Sequence, residues 1–132
     1  MEQDLSSQQL QELRTMLRRR LTELREEIRE ELLRVDEPRY VEVANQVHDQ
    51  EDQALVDLLM DQELYEVERH ARELREVDDA LKRIDEGSYG ICVDTGEPIP
   101  YERLRARPTA IRTVEAQQLY ERKYQQSEPP SL

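Results

Sequence analysis

From Leu10 onward, apolar residues recur at positions 10, 13, 17, 21, 24, 28, 32 and 35, in steps of three and four. That spacing draws one face of an α-helix. The Ser6-Ser7 pair just before it is suited to cap the helix start, and the pattern predicts a helix to about Val35. A second series runs through Val56, Met60, Leu64, Val67, Ala71, Leu74, Val77, Leu81 and Ile84. Its mean step of about 3.5 residues is the period of a coiled-coil seam, and Gly87 supplies the stop. Between the two series lies DEPRYVEVANQVHDQED, where Pro38 opposes a continuous helix. Two helices of about 30 residues, each with one apolar stripe, most simply fold back on one another as an antiparallel hairpin on the order of 45 Å long. A parallel homodimeric coil is the competing architecture.

The turn of this hairpin carries Asp49, Asp52 and Ala54. One reading makes Asp49 an N-cap and Asp52 a first-turn carboxylate favoured by the helix dipole. The other makes them charges presented at the far end of a rod. A cap would also fix the geometry of a presented carboxylate, so the two are compatible.

Past Gly87 the period changes. Residues 89–116 read YGICVDTGEPIPYERLRARPTAIRTVEA, with Cys92, Thr95, Thr113 and Ala116 at the spacing of a C-x2-C-x17-C-x2-C zinc finger. Only Cys92 is a zinc ligand; threonine hydroxyls are poor ones and alanine offers nothing. No metal is expected here, and His48 and His70 lie on the arm, away from ligand spacing. The turns at Gly90 and Gly96, the restricted loop at Pro98 and Pro100, and a small core of Val93, Ile99, Leu104, Ile111 and Val114 are expected to hold the segment instead. A C-terminal helix follows, with Val114, Leu119 and Tyr120 as its apolar contacts. The expected organisation is a flexible terminus at 1–8, an arm at 9–86 with its tip near 36–54, a degenerate finger-like segment at 87–117, a helix at 113–125 and a disordered tail at 126–132.

Composition supports a thin helical protein over a large globule. Of 132 residues, 38% are charged, Phe and Trp are absent, and the formal net charge is −12. A narrow apolar stripe suffices for such a chain. Strong negative charge argues against direct, sequence-specific DNA binding. No stretch approaches the roughly 20 apolar residues of a membrane span, and the acidic start is unlike a signal peptide, so a cytoplasmic protein is expected. The charge is uneven: residues 1–100 carry 13 basic and 27 acidic side chains, whereas 101–123 carry six basic and three acidic. Arg103, Arg107 and Arg112 in that second stretch are candidates for holding an acidic partner or a phosphorylated ligand. No nucleophile–base pair, phosphate-binding glycine loop or metal-ligating helix motif is present, so an enzyme is not expected.

The tip pattern Asp49-x-x-Asp52-x-Ala54, the string Gly-Ser-Tyr-Gly-Ile-Cys at 87–92, RLRARPTA at 103–110 and the interval from tip to finger together resemble the DksA/TraR family of bacterial transcription regulators. The resemblance covers about residues 10–125. It implies a mainly α fold: a long antiparallel coiled-coil hairpin on a small globular base. It implies a monomer that binds RNA polymerase, inserts the arm into the secondary channel and alters open-complex stability through Asp49, Asp52 and Ala54, repressing stable-RNA promoters and assisting some biosynthetic ones. The missing cysteines resemble the cysteine-poor paralogues that replace the zinc-dependent form when zinc is scarce. Family members act in the stringent response with guanosine tetraphosphate. Arg107 stands at one of its binding positions, but Glu76 and Gln117 stand where the zinc form has lysines. A transcript-cleavage factor with an acidic coiled-coil tip, a coiled-coil adaptor or oligomerisation module, and a metal or redox sensor using Cys92 are the alternatives.

Overall fold

The computed structural model describes residues 5–127. Six helices follow in order: α1 (Ser7–Val35), α2 (Pro38–Gln46), α3 (Asp52–Met60), α4 (Tyr65–Glu86), α5 (Tyr101–Ala106) and α6 (Val114–Ser127). Helix α1 starts where a capping box allows it: the Ser6 hydroxyl accepts from the Gln9 N–H, and the Gln9 side chain accepts from the Ser6 N–H, both at 3.0 Å. It ends at Asp36, whose left-handed φ of 58° closes the last turn. Helix α4 ends at Gly87, also left-handed, as expected of a helix-stopping glycine.

Helices α1 and α4 run antiparallel, with Leu13, Leu17, Leu24, Ile28 and Leu32 of one buried against Val67, Ala71, Leu74, Val77 and Ile84 of the other. Each of these larger side chains contributes about 1.5–3 kcal/mol by leaving water, which turns two amphipathic stripes into one intramolecular hairpin. Cross-helix pairs flank the seam: Arg20 Nε donates to Glu73 Oε2 at 2.5 Å, and His70 Nδ1 lies 2.9 Å from Glu31 Oε1. The parallel dimer is thereby unnecessary to bury either stripe.

The outer part of the hairpin departs from the sequence expectation. The second helix is not continuous from 56 to 84; it breaks at Asp61–Leu64, where Glu63 takes a left-handed φ of 58°. The segment after Val35 is not a simple turn either. Pro38 occupies the first turn of α2, where its missing N–H costs nothing. Helix α2 folds back along α1, and α3 folds back along α4, so the distal end is a short four-helix bundle. Its core includes Tyr40, Val43, Ala44, Val47, Leu55, Val56 and Leu59.

The base is built by residues 87–113 around α5. Cys92 N–H donates to Glu97 O at 2.8 Å, Ile99 N–H to Gly90 O at 2.7 Å, and Ile91 bridges Pro98 in antiparallel fashion. Gly90 combines a φ of +84° with a Leu5 methyl 3.2 Å from where a Cβ would stand, so both backbone and space require glycine. Leu5 therefore belongs to the packed base and α1 already begins at Ser7, unlike the flexible 1–8 expected. Tyr89 donates to Pro108 O at 2.7 Å, and burial pushes its phenol up to about 12. Ile99 and Leu104 are buried as expected, but Val93 and Val114 are exposed; Cys92, Ala110 and Ala116 take their place in the core. On α6, Leu119 and Tyr120 are exposed rather than packed. The helix reaches Ser127, so residues 126–127 are not tail, and residues 1–4 and 128–132 lie outside the described part of the chain. Among the described residues no helix is long and apolar enough to cross a membrane.

Candidate functional site

Three groups of residues are candidates for the chemistry, one beside the middle of the arm and two at the base. The first is the loop between α2 and α3. Asp49 is exposed, and its carboxylate makes no hydrogen bond or ion pair among the described residues. It is not the N-cap of α3: Glu51 holds that position, without a side-chain cap. Asp52 opens α3 in the dipole-favoured first turn. Ala54 follows on its exposed side.

Arg25, from the middle of α1, fixes this loop. Its guanidinium pairs with Asp52 Oδ1, donates to Val47 O, and donates to Gln50 O at 3.1 Å. On the opposite wall Asp52 meets Asp78 of α4, which also pairs with Lys82 Nζ at 3.0 Å. Burial, followed by the neighbouring Asp52 carboxylate, holds the Asp78 carboxyl above the usual range despite Lys82. The loop expected at the far end of a rod thus lies beside the middle of the arm. Arg25 and Asp78 were not singled out from sequence. Asp78 carries little sequence signal: the apolar series passes through Leu74, Val77 and Leu81, and Asp78 lies beside that stripe, one turn on from Leu74.

The second group is the former ligand set, and the fold brings all four positions together. Cys92 is buried at 1% exposure. Burial opposes its thiolate, but the Thr95 hydroxyl and the backbone N–H groups of Thr113, Thr95 and Asp94 face the sulfur and bring the thiol down to about 7. The Thr113 hydroxyl accepts from Ala116 N–H at 3.1 Å and caps α6. The Thr95 hydroxyl accepts from Glu97 N–H at 3.2 Å. This donor set does not fit a four-cysteine zinc site: it offers one thiolate, two engaged hydroxyls and a methyl. Among the described residues no three His, Cys, Asp or Glu side chains cluster as metal ligands.

The third group is basic. A cavity of about 210 Å³ is lined by Arg83, Arg103, Arg107 and Arg112, with Glu76, Asp79 and Gln117. The three arginines singled out from sequence do converge here, joined by Arg83 of α4. Two of them are tied down: Arg103 Nε donates to Arg112 O, and Arg112 Nε to Asp94 Oδ2, both at 2.7 Å. Arg112 also lies 3.9 Å over the Tyr120 ring. Arg107 is exposed and faces Glu76, whose carboxyl burial holds above the usual range while Arg107 opposes that shift. The cavity is net cationic, with two acidic side chains inside it.

A helical hairpin rising from a four-position knuckle base defines a class of protein, and comparison with known proteins agrees. Residues 87–122 match the model of the prokaryotic dksA/traR C4-type zinc finger. The solved structure of transcription factor DksA2 from Pseudomonas aeruginosa aligns with 91% of this chain and 88% of its own, at 32% identity and a TM-score of 0.66. The chain belongs to the DksA/TraR family. The RNA polymerase-binding transcription factor DksA of Caulobacter vibrioides is 40% identical over 84 residues, 64% of this chain and 54% of that protein. General stress protein 16O of Bacillus subtilis is 48% identical over 63 residues, 48% of this chain and 37% of that one. The chain thus spans about half the length, or less, of the curated relatives it matches.

Proposed function

We propose that this chain binds RNA polymerase and regulates transcription by bringing the 47–54 loop through the secondary channel toward the active centre, without zinc. The observation that carries the reading is the DksA2-like fold over nearly the whole chain with Asp49, Asp52 and Ala54 in the connection between the arm's two halves. An acidic arm suits a channel that admits anionic nucleotides and is lined to attract them, so complementary charge speeds association. Selectivity among promoters then needs no base contacts. A shift of about 1.4 kcal/mol in an open complex changes its population roughly tenfold. Packing of Cys92, Thr95, Thr113 and Ala116, with hydrogen bonds in place of metal bonds, supports a base that works when zinc is scarce. The cavity around Arg107 is where a polyphosphate such as guanosine tetraphosphate would be tried at the polymerase interface, with Glu76 and Gln117 weakening its hold.

The test is in vitro transcription from a stable-RNA promoter with a metal chelator present. The expected outcome is repression by the wild type, lost in Asp49→Asn and Asp52→Asn although both still bind polymerase. Repression that needs zinc, or that survives both substitutions, would overturn the reading.

A further inference from the structure

The two breaks in the arm face each other. Arg14 stands opposite Asp85 at 3.7 Å and Glu31 opposite His70 at 2.9 Å, so each step along α1 is a step back along α4. Carried past Val35, this register sets Asp36–Glu37 opposite 61–64 and the end of α2 opposite the start of α3. Both breaks hinge on a non-glycine residue with a φ of 58°, Asp36 in one and Glu63 in the other. Aspartate adopts that conformation readily as a helix C-cap, whereas a glutamate such as Glu63 holds it when surrounding contacts impose it. The apolar stripe, meanwhile, continues through the second break: Met60, Leu64 and Val67 keep the spacing of an unbroken seam. One sequence therefore satisfies two arrangements, folded back and straight.

We propose that the arm is a double-hinged device that is closed in the state described and opens by straightening at 36–37 and 61–64. Closed, Asp52 is engaged by Arg25 while Asp49 and Ala54 stay exposed beside the middle of the arm, and the fold-back buries Tyr40, Val47, Leu55 and Leu59. Open, α2 and α3 pair their apolar faces with each other as the outer part of one hairpin. The loop then moves by about 35 Å along the arm, from the level of Arg25 to the tip. Pro38 favours the closed state, because inside a continuous helix it lacks the N–H that the Arg34 carbonyl would need and kinks the arm. A partner that takes the Asp52 carboxylate from Arg25 shifts the arm open by its preference for that state. That last step rests on the polymerase reading; the hinge itself does not.

The experiment places spin labels at Gln11→Cys and Gln53→Cys, both exposed positions, in a Cys92→Ala background, and reads their separation by pulsed dipolar spectroscopy. The axial separation is about 20 Å closed and about 50 Å open. The free protein is expected to show mainly the short distance. Combining Pro38→Ala with Arg25→Ala is expected to add the long one at unchanged far-ultraviolet helicity. Asp36→Gly with Glu63→Gly, which ease the left-handed hinges, is expected to remove any long distance. Core RNA polymerase is expected to convert the native protein to the long distance. A folded double variant with only the short distance, or a polymerase complex that retains it, overturns the device. Should Pro38→Ala with Arg25→Ala fail to fold, Pro38→Ala alone and the complex still decide, by the presence or absence of the long distance. Absence of a complex counts against the polymerase reading, while the free-protein distances decide the hinge.

Discussion

Arg25→Ala is the sharpest structural perturbation of the loop. The guanidinium serves three acceptors from one side chain, two backbone carbonyls and the Asp52 carboxylate. Its side chain is 15% exposed and that of Asp52 is 21% exposed, so the pair is largely, not wholly, withdrawn from water. A freely exposed ion pair contributes about 0–1 kcal/mol, and a hydrogen bond to a charged group about 1.5–3. With water able to reach part of the vacated site, the loss should be about 2–3 kcal/mol. Taking the entropy of unfolding as about 2.1 cal/mol/K per residue, this lowers Tm by roughly 7–11 °C. Thermal unfolding followed by far-ultraviolet circular dichroism measures it. Arg25→Lys should recover less than half, because an ammonium is a point charge and cannot span the fork of acceptors. A loss below about 0.5 kcal/mol, or full recovery by lysine, would refute the view that Arg25 holds the loop in place.

Asp78→Asn should stabilise the protein by about 1 kcal/mol at neutral pH, since an amide donates to Asp52 where a second carboxylate repels it; a melting comparison at pH 5 and pH 7.5 tests this. The sign follows from the raised carboxyl: the Asp78 contribution is full below its unfolded value and lost as pH rises through the folded one, so the advantage of asparagine should shrink at pH 5. The thiol of Cys92 runs the other way, being lowered to about 7, so its contribution is full above the unfolded value and lost as pH falls through 7. Urea unfolding should therefore show stability rising from pH 7 to 9, flattened in Cys92→Ala. Thr113→Ala removes the cap of α6 and leaves the Ala116 N–H without its acceptor; a loss of about 1–2 kcal/mol in the same unfolding assay is expected.

Much of this was legible in the chain. The three-and-four spacing from Leu10 marks α1, and Gly87 marks the end of α4, because both are local rules of helix geometry. The fold-back was not. Asp61-Gln62-Glu63-Leu64 contains neither glycine nor proline, and the seam runs through it unbroken, so only tertiary contacts reveal the break. Pro38 opposes a continuous helix but also begins one, and that choice depends on α1 offering Arg25 and an apolar face to the returning segment. At the base, spacing alone located Cys92, Thr95, Thr113 and Ala116, since a knuckle fixes distances that survive loss of its ligands. The small core differs from the sequence expectation at Val93, in a loop with no period to say which side is inward, and at Val114, the first residue of α6, where Ala116 faces the base instead. Arg25 and Asp52 are far apart in sequence, and nothing local predicts their pairing.

The central claim, that the 47–54 loop acts beside the polymerase active centre, is tested most directly by proximity cleavage. Iron replacing the catalytic magnesium of RNA polymerase generates hydroxyl radicals that cut nearby backbone. With this chain bound and no zinc present, cuts are expected within residues 47–54 and absent from the base. Cuts confined to the base or to the 36–37 and 61–64 hinges, or a bound chain left uncut, would contradict the account.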